Sequence, residues 1–113
     1  MNCIFCKIGK KEIPSTIVYE NESIIAFKDL NPQAPIHILV VPKNHISSIN
    51  DITQENSSII SEIFLSINEI VEKEEIKESG YRVISNCGND GCQSVQHLHF
   101  HILGGKKLSE TLS

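Results

Sequence analysis

The stretch His97-Leu98-His99-Phe100-His101-Ile102-Leu103-Gly104-Gly105 decides the reading of this chain. In a β-strand, side chains at i, i+2 and i+4 share one face. The spacing therefore predicts three imidazoles on one side, with Leu98, Phe100 and Ile102 packed on the other. A surface strand ordinarily turns Thr, Lys or Glu outward, and imidazole has no special strand propensity, so three in strict alternation point to chemistry rather than solubility. Neutral imidazole is a good nucleophile near neutral pH and, once charged, a good donor to phosphate oxygens. Alternate strand residues lie about 6.5 Å apart, which lets one phosphate touch the middle and last rings together.

Working outward, the loop Asn86-Cys87-Gly88-Asn89-Asp90-Gly91-Cys92-Gln93-Ser94 leads into this strand. Gly88, Gly91 and the Gln93-Ser94 step can turn backbone N–H groups inward as an anion-binding nest, and Ser94 adds a hydroxyl donor. Tyr81 to Ser85 reads as a strand before the loop. Ile59, Ile60, Ile63, Phe64, Ile67, Ile70 and Val71 recur at helical spacing, predicting an amphipathic helix from Thr53 as N-cap to about Glu78, stopped by Ser79-Gly80. His37 to Val41 reads as a strand ended by Pro42, which delivers His45 just beyond. Ile17 to Tyr19 and Ile24 to Lys28 read as two strands about a polar turn, followed by the rigid loop Asn31-Pro32-Gln33-Ala34-Pro35. Ile4 to Lys10 has room for one or two helical turns before Ile13-Pro14 breaks the pattern. Strands joined by short turns favour an antiparallel α+β sheet with one long helix packed on it.

A chain of 113 residues is expected to be one domain. Its net charge of -4, with no basic cluster, argues against a nucleic-acid surface. The N-terminus has neither a charged nor an apolar leader region, and no apolar run approaches the length of a membrane span, so a cytoplasmic protein without membrane contact is expected. There, four cysteines are expected as thiols or metal ligands rather than disulfides. Cys3-Ile4-Phe5-Cys6 offers half a zinc site that two histidines could complete; the alternative is a pair of reduced thiols in a short helix.

The run from Gly91 to Gly105 is similar to the signature of the histidine-triad (HIT) superfamily, whose defining motif alternates three histidines with apolar residues. Ile4-Phe5-Cys6-Lys7-Ile8, Lys11-Glu12-Ile13-Pro14, Phe27-Lys28-Asp29, Pro32 to His37 and Val41-Pro42-Lys43-Asn44-His45 also resemble its Hint branch. The resemblance implies a single HIT domain over residues 1–113: an antiparallel five-stranded sheet, one long helix and a short N-terminal helix, with the sheet extended across a homodimer. It implies a purine nucleoside phosphoramidase whose His99 attacks the α-phosphorus, giving a nucleotidyl-histidine that water hydrolyses. His101 and Ser94 would hold phosphate oxygens or help the amine leave. His97 would orient His99 through its backbone carbonyl, and His37 would complete the proton-handling network.

By the same correspondence Asp29 would bind the ribose hydroxyls with Leu30 beside it, and Asn86 would contact phosphate. Cys92, Gln93, Ser94 and Val95 would line the phosphate side. Ile4, Phe5, Ile8, Ile13 and Phe27 would form the base slot, although Ile8 and Ile13 fit plain core packing equally and Asp29 could simply cap a turn. Zinc-bearing members would place the metal on Cys3, Cys6, His45 and His97. Two features depart from the pattern: Cys92 stands where Gly is usual, and the tail from Lys106 to Ser113 lacks the Trp and Pro with which several Hint proteins finish. Competing readings are a dinucleoside polyphosphate hydrolase, a metal-dependent hydrolase built on His-x-His, and a non-catalytic nucleotide sensor.

Overall fold

The structure, a computed structural model, describes residues 3–112; Met1, Asn2 and Ser113 lie outside the described residues. Strands β1 (Ile17–Glu20), β2 (Ile24–Lys28), β3 (Ile36–Pro42), β4 (Tyr81–Ile84) and β5 (Phe100–Gly104) form one antiparallel sheet in the order β1-β2-β3-β5-β4. Helix α1 (Ile4–Gly9) precedes it and α2 (Ser58–Lys73) follows β3, giving the expected α+β architecture. No helix among the described residues is long and apolar enough to cross a membrane.

Period-two alternation sorts the strand residues between two cores. Ile24, Ala26, Ile38, Val40, Phe100 and Ile102 pack against Ile63, Ile67, Ile70 and Val71 of α2. Ile25, Phe27, Leu39 and Val41 pack against Phe5 and Ile8 of α1. Covering on both faces is why β3 reads as an unbroken apolar run. Leu39 pairs directly with His101, and His37 lies two residues from Leu39, so His37 and His101 occupy the α1 face of the sheet. The α2 face is closed by the long helix. The six-residue α1 covers only part of the opposite face and leaves the histidines room there.

Three boundaries differ from expectation. Thr53 does not cap α2: its N–H donates to Asn56 Oδ1 at 2.7 Å and the Asn56 N–H donates to Thr53 Oγ1 at 3.3 Å, closing a separate turn. The helix starts only at Ser58, with Ser57 at the N-cap. It also stops well before Gly80. Glu75 takes the left-handed conformation at φ 60°, the Ile76 N–H donates to the Val71 carbonyl and the Glu75 N–H to that of Glu72, a Schellman closure sealed by buried Ile76.

The third difference concerns the histidines. The ladder begins at Phe100, opposite Val40, so only His101 lies in a paired strand. Pro42 at the end of β3 has no N–H to extend the ladder, and its carbonyl instead lies 2.8 Å from His97 Nε2. The Leu98 N–H donates to the Ile46 carbonyl at 2.6 Å, drawing this approach segment toward the chain after β3. His97, in a bend, and His99 thus belong to the approach to β5 rather than to its ladder.

Candidate functional site

His99 is 3 % exposed, and its Nδ1 lies 2.7 Å from the His97 carbonyl oxygen. A carbonyl only accepts, so Nδ1 carries the hydrogen and Nε2 keeps a bare lone pair. No enclosed side-chain nitrogen or oxygen among the described residues lacks a partner, and Nε2 makes no hydrogen bond there, so Nε2 opens toward solvent. The ring is gripped edge-on by Phe5, with centroids 5.1 Å apart, and by His101 at 5.2 Å. The Ser85 hydroxyl donates to the His99 carbonyl at 2.8 Å, a support with no signal in the motif.

His101 Nδ1 lies 2.9 Å from His37 Nε2, and Asp29 Oδ2 lies 3.4 Å from the same His37 nitrogen. Burial, followed by the neighbouring His99 and His37, pushes His101 down to about 4 against the opposing pull of Asp29. Burial also lowers His37, partly offset by Asp29. Both rings are therefore neutral at physiological pH. The Gln33 N–H donates to His37 Nδ1 at 3.0 Å.

The loop before the triad is braced from within. Gln93 donates from Nε2 to the Ser47 and Val95 carbonyls and accepts from the Gly88 N–H, all within 3.0 Å. Both its amide hydrogens are occupied and the residue is buried, so the Gln93 side chain ties the loop down. Asn86 Nδ2 likewise donates to the Gly91 carbonyl at 2.7 Å. A Cβ on Gly91 would stand 2.4 Å from the Cys87 carbonyl oxygen, so only glycine allows this closure. Cys92 sits at φ 61°, the conformation for which glycine is the natural choice. Ser94 is exposed, and Val95 packs against the α1 cluster.

The expected base slot is only partly assembled. Phe5, Ile8 and Phe27 are buried in one cluster with Ile13 packed against it, and the Phe5 and Phe27 rings meet at 5.5 Å. Ile8 also lies beside Ile25 and Val41, as core packing requires. Ile4 is exposed, and Leu30 is 94 % exposed, so neither belongs to that cluster. Asp29 does cap a turn, accepting the Asn31 N–H on Oδ1 at 2.8 Å, while its other oxygen faces His37.

Cys3, Cys6, His45 and His97 converge, with one ligand atom from each lying within 4.8 Å of the others. Cys3 Sγ and Cys6 Sγ are 3.3 and 3.5 Å from His97 Nδ1, and Cys6 Sγ is 3.3 Å from His45 Nδ1. Zinc with bonds of about 2.3 Å to sulfur and 2.05 Å to nitrogen spans a tetrahedral S–N edge of about 3.6 Å, close to these separations. The donor chemistry fits as well. His97 gives its Nε2–H to the Pro42 carbonyl, leaving Nδ1 bare toward the two thiols. Burial, followed by the Cys3 thiol beside it, raises Cys6, a crowding that a dication would relieve.

Comparison with known proteins agrees with this geometry. The family model described as "Scavenger mRNA decapping enzyme C-term binding" matches residues 2–112. A histidine triad protein from Clostridium difficile superposes with a TM-score of 0.96 at 55 % identity, covering 98 % of this chain and 96 % of that one. The purine nucleoside phosphoramidase of Escherichia coli K12 is 43 % identical over 110 residues, 97 % of this chain and 92 % of that protein. A 14 kDa zinc-binding protein of Zea mays is 47 % identical over 108 residues, 94 % of this chain and 84 % of that protein. Matched along almost its whole length in sequence and in backbone, and carrying three alternating histidines in β5 and just before it, the chain belongs to the histidine-triad superfamily.

Proposed function

We propose that the protein hydrolyses purine nucleoside 5′-phosphoramidates through a nucleotidyl-histidine intermediate. The observation that carries this reading is the 2.7 Å contact from His99 Nδ1 to the His97 carbonyl, which leaves the Nε2 lone pair as nucleophile. Nε2 attacks the α-phosphorus, the P–N bond breaks, and the amine departs with a proton drawn from solvent. Water then attacks the same phosphorus and gives a proton back to solvent, the P–Nε2 bond breaks, and nucleoside monophosphate leaves as His99 is restored. His101 and Ser94 hold phosphate oxygens. Asp29, beside His37, is placed for the ribose hydroxyls, and Phe5 with Phe27 gives an aromatic wall for the base. The similarity to the Escherichia coli phosphoramidase supports the purine substrate.

The same reading takes Cys3, Cys6, His45 and His97 as a structural zinc site, supported by their geometry and by the similarity to the maize protein. Zinc there would join α1 to the strand ends and hold Phe5 against His99. The chemistry requires no metal. A homodimer is supported by an apolar face on α2 and edge strand β4, where Phe64 is 51 % exposed beside Tyr81 and Val83.

Incubation with an adenosine 5′-phosphoramidate should release free amine and adenosine monophosphate, and His99→Ala should lower kcat at least about a thousandfold. Product formation unaffected by His99→Ala would refute the covalent route, and absence of product with the intact chain would favour a nucleotide sensor. Sedimentation at micromolar concentration should give the mass of two chains; a single-chain mass rejects the dimer.

A further inference from the structure

The His37–His101 pair contains a chain of hydrogen bonds whose direction follows from one backbone atom. The Gln33 N–H lies 3.0 Å from His37 Nδ1 and, as a backbone amide, can only donate. His37 Nδ1 must therefore accept, and in the neutral ring the hydrogen sits on Nε2. His37 Nε2 is 2.9 Å from His101 Nδ1, so that nitrogen must accept in turn, which leaves the His101 hydrogen on its own Nε2. His101 Nε2 has no hydrogen-bond partner among the described residues and is not enclosed, so its N–H reaches solvent, on a ring whose centroid stands 5.2 Å from that of His99.

We infer that the Gln33 backbone N–H is a positioning group that sets the proton order of both rings and so presents an N–H, rather than a lone pair, from His101 to the incoming phosphate. Reversal of the chain shows why this matters. With a hydrogen on His37 Nδ1, His37 Nε2 would accept from His101 Nδ1–H, and His101 would turn a bare lone pair toward anionic oxygens. Asp29 Oδ2, 3.4 Å from His37 Nε2, favours the same order as Gln33 but from beyond ordinary hydrogen-bond distance. The low proton affinity of both rings matters too, because a charged imidazole would carry a hydrogen on each nitrogen and erase the direction. The Asn31–Pro35 loop, rigidified by its two prolines, thus does more than connect strands: it holds one N–H at the head of a two-imidazole relay.

This inference rests on the proposed reaction only for its purpose, and its test needs no substrate. Long-range 1H–15N spectra of the uniformly labelled protein at neutral pH should show His37 and His101 both as Nε2–H tautomers, with both Nδ1 atoms unprotonated. A hydrogen on His37 Nδ1 would overturn it. Gln33→Pro removes the donor and should move His101 measurably toward the Nδ1–H form. Retention of both tautomers in a variant with native amide shifts would also overturn it. Should that variant not fold, an ester oxygen in place of the Gln33 N–H deletes the same hydrogen and must give the same shift. If phosphoramidates are turned over, kcat should fall about tenfold or more in the folded variant. If they are not, the tautomer result stands alone and only the proposed substrate fails.

Discussion

Two clusters of titratable groups flank His99, and their contrast explains much of the site. Cys3, Cys6, His45 and His97 lie on one side, and Asp29, His37 and His101 on the other; each set brings its ligand atoms within 4.8 Å. By spacing alone either looks able to hold a metal. Their hydrogen bonds separate them. In the first, the Pro42 carbonyl takes the His97 Nε2–H and leaves a bare Nδ1 facing two thiols. In the second, the Gln33 N–H occupies His37 Nδ1 and so keeps a hydrogen on the very nitrogen that faces His101. A carbonyl behind one imidazole leaves a lone pair of the kind a metal ion needs, whereas an amide behind another keeps a hydrogen between two rings.

The largest expected effect comes from breaking the first cluster. Cys3→Ser with Cys6→Ser should abolish zinc binding and lower the unfolding midpoint by at least about 5 °C, while kcat stays within about tenfold of the parent. Equilibrium dialysis of the parent should return one zinc per chain; two would erase the contrast between the clusters, and loss of all activity with the metal would make the first cluster catalytic.

Acidification probes the second cluster. The unfolded chain takes up protons on His37 and His101 near the ordinary value of 6.5, whereas the folded chain resists, His101 doing so down to about 4. Folding stability is therefore complete above about 6.5 and declines as the pH falls through that window toward about 4, because there the unfolded state binds more protons. Melting curves between pH 7 and 5 should show the decline, and His101→Asn should flatten it. An equally steep decline in that variant would assign the effect elsewhere.

The smallest effect belongs to the loop between the clusters. Cys92 holds a left-handed backbone that costs a non-glycine residue about 1 kcal/mol. Cys92→Gly should recover a few tenths to about 1 kcal/mol in urea unfolding, the gain reduced by the greater freedom of glycine in the unfolded chain. Destabilisation would mean that the thiol side chain itself supports the loop.

The contrast also marks how far the sequence could be read. Strands β1, β2 and β3 were legible because short apolar runs bounded by turn residues are local signals. The ends of α2 were not. Thr53 and Gly80 have the right chemistry for caps, but Thr53 bonds with Asn56, and at the other end Glu75 accepts the left-handed position as Ile76 packs into the core. The triad, His37 and the cluster of Cys3, Cys6, His45 and His97 were visible as residue types in a motif. The role of Gln93 as a brace was not, since its partners are the carbonyls of Ser47 and Val95.

By itself, then, the order of residues determined which imidazoles share a face, which thiols stand one helical turn apart, and which segments must be buried, because these follow from the periods of strand and helix. Only the tertiary structure decided which nitrogen of each ring holds its hydrogen. That choice depends on backbone carbonyls and amides brought up from distant positions: Pro42 for His97, Gln33 for His37, and the His97 carbonyl for His99. Backbone groups are the same in every residue, so their identity carries no information until folding gives them a place.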